Sequence, residues 1–124
     1  MKLLIVEDNP GVRHVIRSLV ASVASEICEC ADGTEAVVLY QLEHPDFVLM
    51  DIEMGAMDGI TATRRIKTAD ARARIIMVTD YDQPDLRQAA YQAGAYAYVV
   101  KENLLQLPLL LAKEQIKVPR SDEG

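Results

Sequence analysis

Acidic residues follow two short apolar runs of the chain. Glu7 and Asp8 come directly after the run that ends at Val6, and Asp51 comes directly after the run at 46–50. Runs of this length are typical of buried parallel strands, so the acids are predicted at strand ends on one edge of a sheet, where open α/β folds bind their ligands. Carboxylates gathered in one crevice repel one another unless a cation joins them or some are protonated. The sequence therefore predicts a metal site.

Two further apolar runs end in residues that can bind an anion. The run at 75–78 is followed by Thr79, and the run at 95–100 is followed by Lys101. Parallel strands would bring this hydroxyl and this ammonium to the same edge as the acids. Carboxylates for a divalent ion, a carboxylate nucleophile, a hydroxyl donor and a lysine together indicate phosphoryl-transfer chemistry.

The elements that must position these residues are predicted by hydrophobic periodicity. Strand-like and helix-like segments alternate five times, which is typical of a parallel sheet with helices on both faces. Asn9 and Asp82 are predicted helix caps, and Pro108 requires the last helix to begin near Leu107. Strands are predicted at 2–6, 27–31, 46–50, 74–79 and 95–100, and helices at 10–24, around 36–42, to about 69, from 82 to 94, and from 107.

Size and charge narrow the classes of protein further. A chain of 124 residues fits one domain, predicted at 1–118, followed by a polar tail at 119–124. The net charge of -6 argues against a nucleic-acid surface, which needs clustered Lys and Arg. The apolar run at 3–6 is too short for a signal peptide or a membrane span, so we expect a cytoplasmic protein that does not contact membranes.

Short motifs at the ends of the apolar runs resemble those of receiver domains of two-component response regulators. The resemblance extends from Leu3 to about Lys117. It implies a single doubly wound (βα)5 domain of the flavodoxin-like class, with five parallel strands in the order 2-1-3-4-5 and helices on both faces. The motifs are Val6-Glu7-Asp8-Asn9, Leu49-Met50-Asp51-Ile52-Glu53-Met54, Met57-Asp58-Gly59, Val78-Thr79 and Tyr98-Val99-Val100-Lys101.

The resemblance implies a role for each acid. Asp51 would accept a phosphoryl group from a phosphohistidine on a sensor histidine kinase or on a histidine phosphotransfer protein. Asp8, the carboxylate of Asp51 and the backbone carbonyl of Glu53 would bind Mg²⁺ or Mn²⁺, with Glu7 acting directly or through a water. The expected chemistry is self-phosphotransfer and slow autodephosphorylation only, so the chain is not expected to be an enzyme.

The resemblance also implies a conformational switch. Lys101 would pair with the acceptor carboxylate and then with the phosphoryl group, and Thr79 would donate its hydroxyl to that group. Tyr98 matches the switch aromatic, which turns between exposed and buried positions. Glu53 and Tyr81 occupy positions that tune the phosphoryl lifetime. The expected output face is the fourth helix, fifth strand and fifth helix, which is also the candidate surface for a homodimer.

Two departures from the family pattern leave alternatives open. Gly55 replaces a usual proline, which should loosen the loop after Asp51. Asp80 replaces a usual small residue, and it could hinder phosphorylation, bias metal binding, or point outward and cap the next helix, the reading we favour. The main alternative is therefore a degenerate receiver that acts as a phosphorylation-independent interaction module. A haloacid-dehalogenase-like phosphatase fits less well than Asp51-Ile52-Glu53 suggests, because that class normally has Asp in the second place, its motif near the first strand and a longer chain. A flavin-binding electron carrier fits less well because the loop at 7–11 would repel a flavin phosphate.

Overall fold

The computed structural model describes residues 1–117, and of residues 116 and 117 only the backbone. The predicted polar tail at 119–124 lies outside the described residues. The described chain forms one five-stranded sheet in the order β2-β1-β3-β4-β5, and all neighbouring pairs are parallel. The predicted fold class and strand order are confirmed. Within residues 1–117 no helix is both long and apolar enough to cross a membrane.

Strands and helices alternate along the whole described chain. A single 3-10 turn, Lys101–Asn103, separates the last strand from the last helix. The elements are β1 Lys2–Val6, α1 Pro10–Val20, β2 Glu26–Cys30, α2 Gly33–Glu43, β3 Phe47–Met50, α3 Gly59–Ala69, β4 Ile75–Thr79, α4 Pro84–Gln92, β5 Ala97–Val100 and α5 Gln106–Lys117.

The central strands are buried on both faces, as their continuous apolar sequences predict. Every residue of β3 and β4 is buried. One core lies between the sheet and α2, α3 and α4, and includes Tyr40 and Ile66. The other lies between the sheet and α1 and α5, and includes Ile16 and Leu107. Because helices cover both faces of the sheet, its strands are held in place, and the strand ends form a rigid edge.

Strand register aligns the residues that follow each strand. Val6 of β1 pairs with Met50 of β3, and Thr79 of β4 pairs with Val100 of β5. The residues immediately after these strands are therefore brought to one edge of the sheet, where the sequence predicted the site.

Local sequence signals start most of the helices. The Asn9 side chain accepts hydrogen bonds from the backbone N–H groups of Gly11 and Val12, and Pro10 occupies the first helical position of α1. Asp32 and Asp58 cap α2 and α3 in the same way. Pro108 lies in the first turn of α5, where its missing N–H would have no intrahelical acceptor.

Several predicted boundaries are wrong, and tertiary contacts explain most of them. Helix α1 ends at Val20 rather than 24, because its carbonyl accepts the N–H groups of residues 23 and 24 and the chain turns to bond Ser25 to Met1. Strand β5 begins at 97 rather than 95, since residue 95 bonds back to Ala90 of the α4 end. Strand β2 lies one residue earlier than predicted, in register with β1.

Asp82 is not the cap of α4. The cap position is Gln83, whose side chain makes no capping hydrogen bond, and Pro84 begins the helix. The Asp82 carboxylate instead forms an ion pair with Arg87, one turn into α4. The Arg87 guanidinium competes with the backbone N–H groups at the start of α4 for this carboxylate. A charge-assisted hydrogen bond is stronger than one to a neutral N–H, so the guanidinium wins.

Candidate functional site

The three acids predicted from the first and third strands meet at one edge of the sheet. Carboxylate oxygens of Glu7, Asp8 and Asp51 lie within 4.8 Å of one another. Glu7 and Asp51 are buried, whereas Asp8 is exposed at the mouth of the group. Asp51 Oδ1 accepts a hydrogen bond of 2.8 Å from the backbone N–H of Ile52, which fixes the direction of its carboxylate.

Lys101 supplies a positive charge to this group. Its Nζ lies 2.7 Å from Glu7 Oε1 and 3.2 Å from Asp51 Oδ2. The side chain reaches the acids because Val100, the residue before it, pairs with Thr79 at the end of the neighbouring strand. One ammonium therefore faces two buried carboxylates, and it offsets their repulsion only in part.

The site perturbs the titration of its own groups. Burial and the nearby charge of Glu7 raise the pKa of Asp51 to about 6, although Lys101 acts in the opposite direction. For Lys101 burial alone would lower the pKa, but the carboxylates of Glu7 and Asp51 outweigh it and raise the pKa above its ordinary value. At neutral pH Asp51 is thus ionised, although its surroundings favour the protonated carboxyl more than water does.

The acidic group fits a hard divalent cation. Glu7 Oε2 accepts a hydrogen bond from the Asn9 N–H, whereas no backbone N–H of the described residues donates to the buried Oε1. Its contact with the Lys101 ammonium is an ionic one. The one ammonium is shared by two buried carboxylates, and an oxygen-preferring ion such as Mg²⁺ beside Asp8 would supply the positive charge that they lack.

Glu53 lies in the loop after Asp51, and its side chain is engaged elsewhere. Its Oε2 accepts a hydrogen bond from the Tyr81 hydroxyl, which joins this loop to the loop before α4. The two predicted tuning residues are therefore in contact with each other. That the backbone carbonyl of Glu53 binds a metal stays a prediction.

Thr79 and Tyr98 are connected through the backbone of Tyr81. Thr79 is fully buried at the end of β4, and its Oγ1 accepts a hydrogen bond of 3.3 Å from the Tyr81 N–H. The Tyr98 hydroxyl donates to the Tyr81 carbonyl at 2.7 Å, and the Tyr98 ring is 8% exposed. One peptide segment thus joins the two residues predicted to form the switch.

Asp80 points outward, as our favoured reading predicted, but it does not cap α4. Its side chain is 71% exposed, and its Oδ2 lies 3.9 Å from the Lys101 Nζ. Asp80 cannot cap the helix, because the cap position is Gln83 and α4 begins only at Pro84. Asp80 thus lies near the buried cluster of Glu7, Asp51 and Lys101, but its own side chain is exposed to solvent.

Gly59 positions the acceptor loop, and the sequence reasoning did not assign it this role. Its N–H donates to the Ile52 carbonyl at 2.8 Å, and a Cβ at this position would lie 1.9 Å from the Asp51 carbonyl oxygen. Only glycine allows this approach of the two backbone segments. Its place in the Met57-Asp58-Gly59 motif was the available signal. Gly55, in contrast, has no atom within 4 Å of such a Cβ.

Comparison with known proteins identifies the family. The model of the response regulator receiver domain matches residues 3–111. The chain belongs to this family. Chemotaxis protein CheY of Bacillus subtilis (strain 168) is 42% identical over 101 residues, which cover 81% of this chain and 84% of that protein. Sporulation initiation phosphotransferase F of the same organism is 32% identical over 100 residues, covering 81% of each chain.

A solved structure shares the fold of this receiver domain. It is the CheX-CheY-BeF3-Mg²⁺ complex from Borrelia burgdorferi, with a TM-score of 0.81 and 29% sequence identity. The match covers 96% of this chain and 90% of that chain. The two sequence relatives thus cover 81% of this chain, and the solved structure covers 96% of it.

Proposed function

We propose that this receiver domain is a phosphorylation-activated signalling switch whose phosphoryl acceptor is Asp51. The observation that carries the proposal is the convergence of the Asp51 carboxylate with Glu7, Asp8 and Lys101 at the carboxyl ends of the strands. The donor would be a phosphohistidine on a sensor histidine kinase or on a phosphotransfer protein. This partner class follows from the family and from the phosphotransferase among the relatives.

The geometry supports in-line attack by Asp51. One carboxylate oxygen is held by the Ile52 N–H, and the other faces the Lys101 ammonium. An Asp51 oxygen would form the new O–P bond while the P–N bond to the donor histidine breaks, and the imidazole would leave with the bonding electron pair. The rigid strand end keeps the attacking oxygen in place.

The residues around Asp51 would offset the charge that the transfer brings. Lys101 can remain beside the new phosphoryl oxygens, since it already contacts Asp51 Oδ2. Mg²⁺ or Mn²⁺, when bound by Glu7, Asp8, Asp51 and the backbone carbonyl of Glu53, supplies positive charge that neutralises and orients phosphoryl oxygens. Above a pH of about 6 Asp51 is ionised and able to attack.

The switch would act through the loop after β4. When the Thr79 hydroxyl turns to a phosphoryl oxygen, its hydrogen bond with the Tyr81 N–H is lost. The loop that contains Tyr81 then moves, and with it the Tyr81 carbonyl to which the Tyr98 hydroxyl donates. The change reaches α4, β5 and α5. On α5 and just before it, Leu105 and Leu109 are each 73% exposed, and we propose that this face receives the downstream partner or a second copy of the chain.

The chain itself would turn over no substrate other than its own phosphoryl group. Slow loss of that group to water would be tuned by Glu53 and Tyr81, whose hydrogen bond lies across the loops beside the site. Breaking this bond would open a path for water to the phosphoryl group.

An intact-mass experiment tests the proposal. The protein is incubated with Mg²⁺ and acetyl phosphate, and we expect the mass of one phosphoryl group to be added to the wild type. Asp51→Asn should show no gain, and a chelator should abolish the gain in the wild type. A gain that persists in Asp51→Asn would assign the acceptor elsewhere.

A second candidate function is supported by Asp80. Its carboxylate lies 3.9 Å from the Lys101 Nζ, where it could compete with an incoming anion. A receiver impaired in this way would act as a phosphorylation-independent interaction module. In that case the wild type would gain no mass with any donor, whereas Asp80→Ala would gain it.

A further inference from the structure

Arg87 of α4 covers the ring of Tyr98. The guanidinium carbon lies 4.5 Å from the ring centroid, within the range of a cation–π contact. The guanidinium also forms an ion pair with Asp82 in the loop before α4, which orients it over the ring. Tyr91 lies beside the same ring, with its centroid 6.5 Å away.

The two contacts of Arg87 differ in strength. The side chains of Arg87 and Asp82 are 39% and 56% exposed, so their ion pair alone contributes little to stability. Tyr98 is a buried residue, 8% exposed, and its contact with the guanidinium is correspondingly better shielded from water. The main effect of Asp82 is therefore to hold the guanidinium plane in position.

Arg87 is linked to the phosphoryl site through Tyr98. The hydroxyl end of Tyr98 bonds to the Tyr81 carbonyl, and the Tyr81 N–H bonds to Thr79. An interaction that holds the ring inward therefore also holds the loop after β4. Arg87 lies on α4, Asp82 in the loop before it and Tyr98 on β5, all apart from the charged group around Asp51.

We propose that Arg87, oriented by Asp82, is a positioning residue that clamps Tyr98 in its buried position and so sets the resting balance of the switch. The proposal rests on the proposed function for its biological meaning. The clamp itself requires no phosphoryl group, because both of its contacts are independent of Asp51.

The size of the effect follows from the strength of the contact. A partly exposed Arg over a tyrosine ring favours the stacked state by about two- to fivefold. Loss of Arg87 should lower the ratio of buried to exposed Tyr98 by that factor. Because a ligand and a conformational equilibrium that influence one another are linked reciprocally, the affinity for a phosphoryl mimic should change by at most the same factor.

Fluorine NMR measures the clamp directly. The chain contains five tyrosines, so labelling with 3-fluorotyrosine gives few resonances, and Tyr98→Phe assigns the one of interest. In Arg87→Met we expect the chemical shift of the Tyr98 resonance to move toward that of a solvent-exposed fluorotyrosine. In Asp82→Asn we expect a smaller shift in the same direction. Arg87→Lys should recover only part of the effect, since an ammonium lacks the planar stacking surface. Arg64→Met, at an exposed site of α3, is the matched control and should change nothing.

A titration with beryllofluoride and Mg²⁺ provides the second readout. We expect the affinity of Arg87→Met for this phosphoryl mimic to differ from that of the wild type by up to about two- to fivefold. If the Tyr98 resonance of Arg87→Met is as unchanged as that of Arg64→Met, the clamp is overturned. This holds even if the wild type binds the mimic. If the wild type neither binds the mimic nor accepts a phosphoryl group, the proposed function fails, while the NMR comparison still decides the clamp.

Discussion

Replacing Asp51 by asparagine should make the folded protein more stable at neutral pH. Burial and Glu7 raise the pKa of Asp51 from 3.8 to about 6. Between these pH values the folded protein holds a proton that the unfolded chain has released, so stability falls as pH rises through the interval. Above a pH of about 6 the whole cost is present. Asparagine cannot ionise and so avoids it.

The magnitude follows from the same shift. A rise in pKa from 3.8 to about 6 corresponds to about 3 kcal/mol, since one pKa unit is about 1.4 kcal/mol. The variant also loses the contact of Asp51 with Lys101, although Lys101 keeps Glu7 at 2.7 Å. We therefore expect Asp51→Asn to raise the free energy of unfolding by about 1 to 3 kcal/mol near pH 7.5 and by about zero near pH 4.

Urea unfolding followed by circular dichroism measures both values, because the chain contains no tryptophan for fluorescence. The measurements are made with a chelator, and then with Mg²⁺, which should stabilise the wild type more than the variant. The reasoning is refuted if Asp51→Asn is the less stable protein near pH 7.5, or if the difference between the two proteins is the same at both pH values.

Further predictions concern the backbone and the ammonium of the site. Gly59→Ala should lower the free energy of unfolding by more than about 2 kcal/mol and slow phosphorylation, since its Cβ would lie 1.9 Å from the Asp51 carbonyl oxygen. Gly55→Ala, with open space around the new Cβ, is the matched control and should match or slightly exceed the wild-type stability in the same urea titration. Lys101→Met should lower stability near neutral pH by about 1 to 3 kcal/mol, because it leaves the buried Glu7 carboxylate without its cation. Added Mg²⁺ should restore part of that loss, and no response to the ion in the thermal unfolding of Lys101→Met would argue against a metal at these acids.

Most of the fold could be predicted from local sequence. The apolar runs that become β3 and β4 are buried along their whole length, and Asn9, Asp32 and Asp58 cap helices as their side chains favour. The end of α1 could not be predicted in this way, because the apolar pattern continues through Val23 while the chain must turn to bring β2 beside β1.

The candidate site divides in the same manner. The sequence predicted that Asp51 and Lys101 would lie at strand ends, because each follows an apolar run. Their contact joins residues 50 positions apart, and its distance depends on strand register and packing. The engagement of Asp82 with Arg87 instead of a helix end was missed, since cap preferences do not include competition from a side chain on the next turn.

The sequence by itself determined which chemical groups this protein carries and on which kind of element each would lie. Hydrophobic periodicity and capping preferences act over a few residues, so they specify strands, helices and the residues that end them. The tertiary structure decided which groups touch: Lys101 against two acids, Gly59 against the acceptor loop, and Arg87 over Tyr98. Such contacts depend on register, close packing and side-chain direction across distant segments, and no local pattern in the chain encodes them.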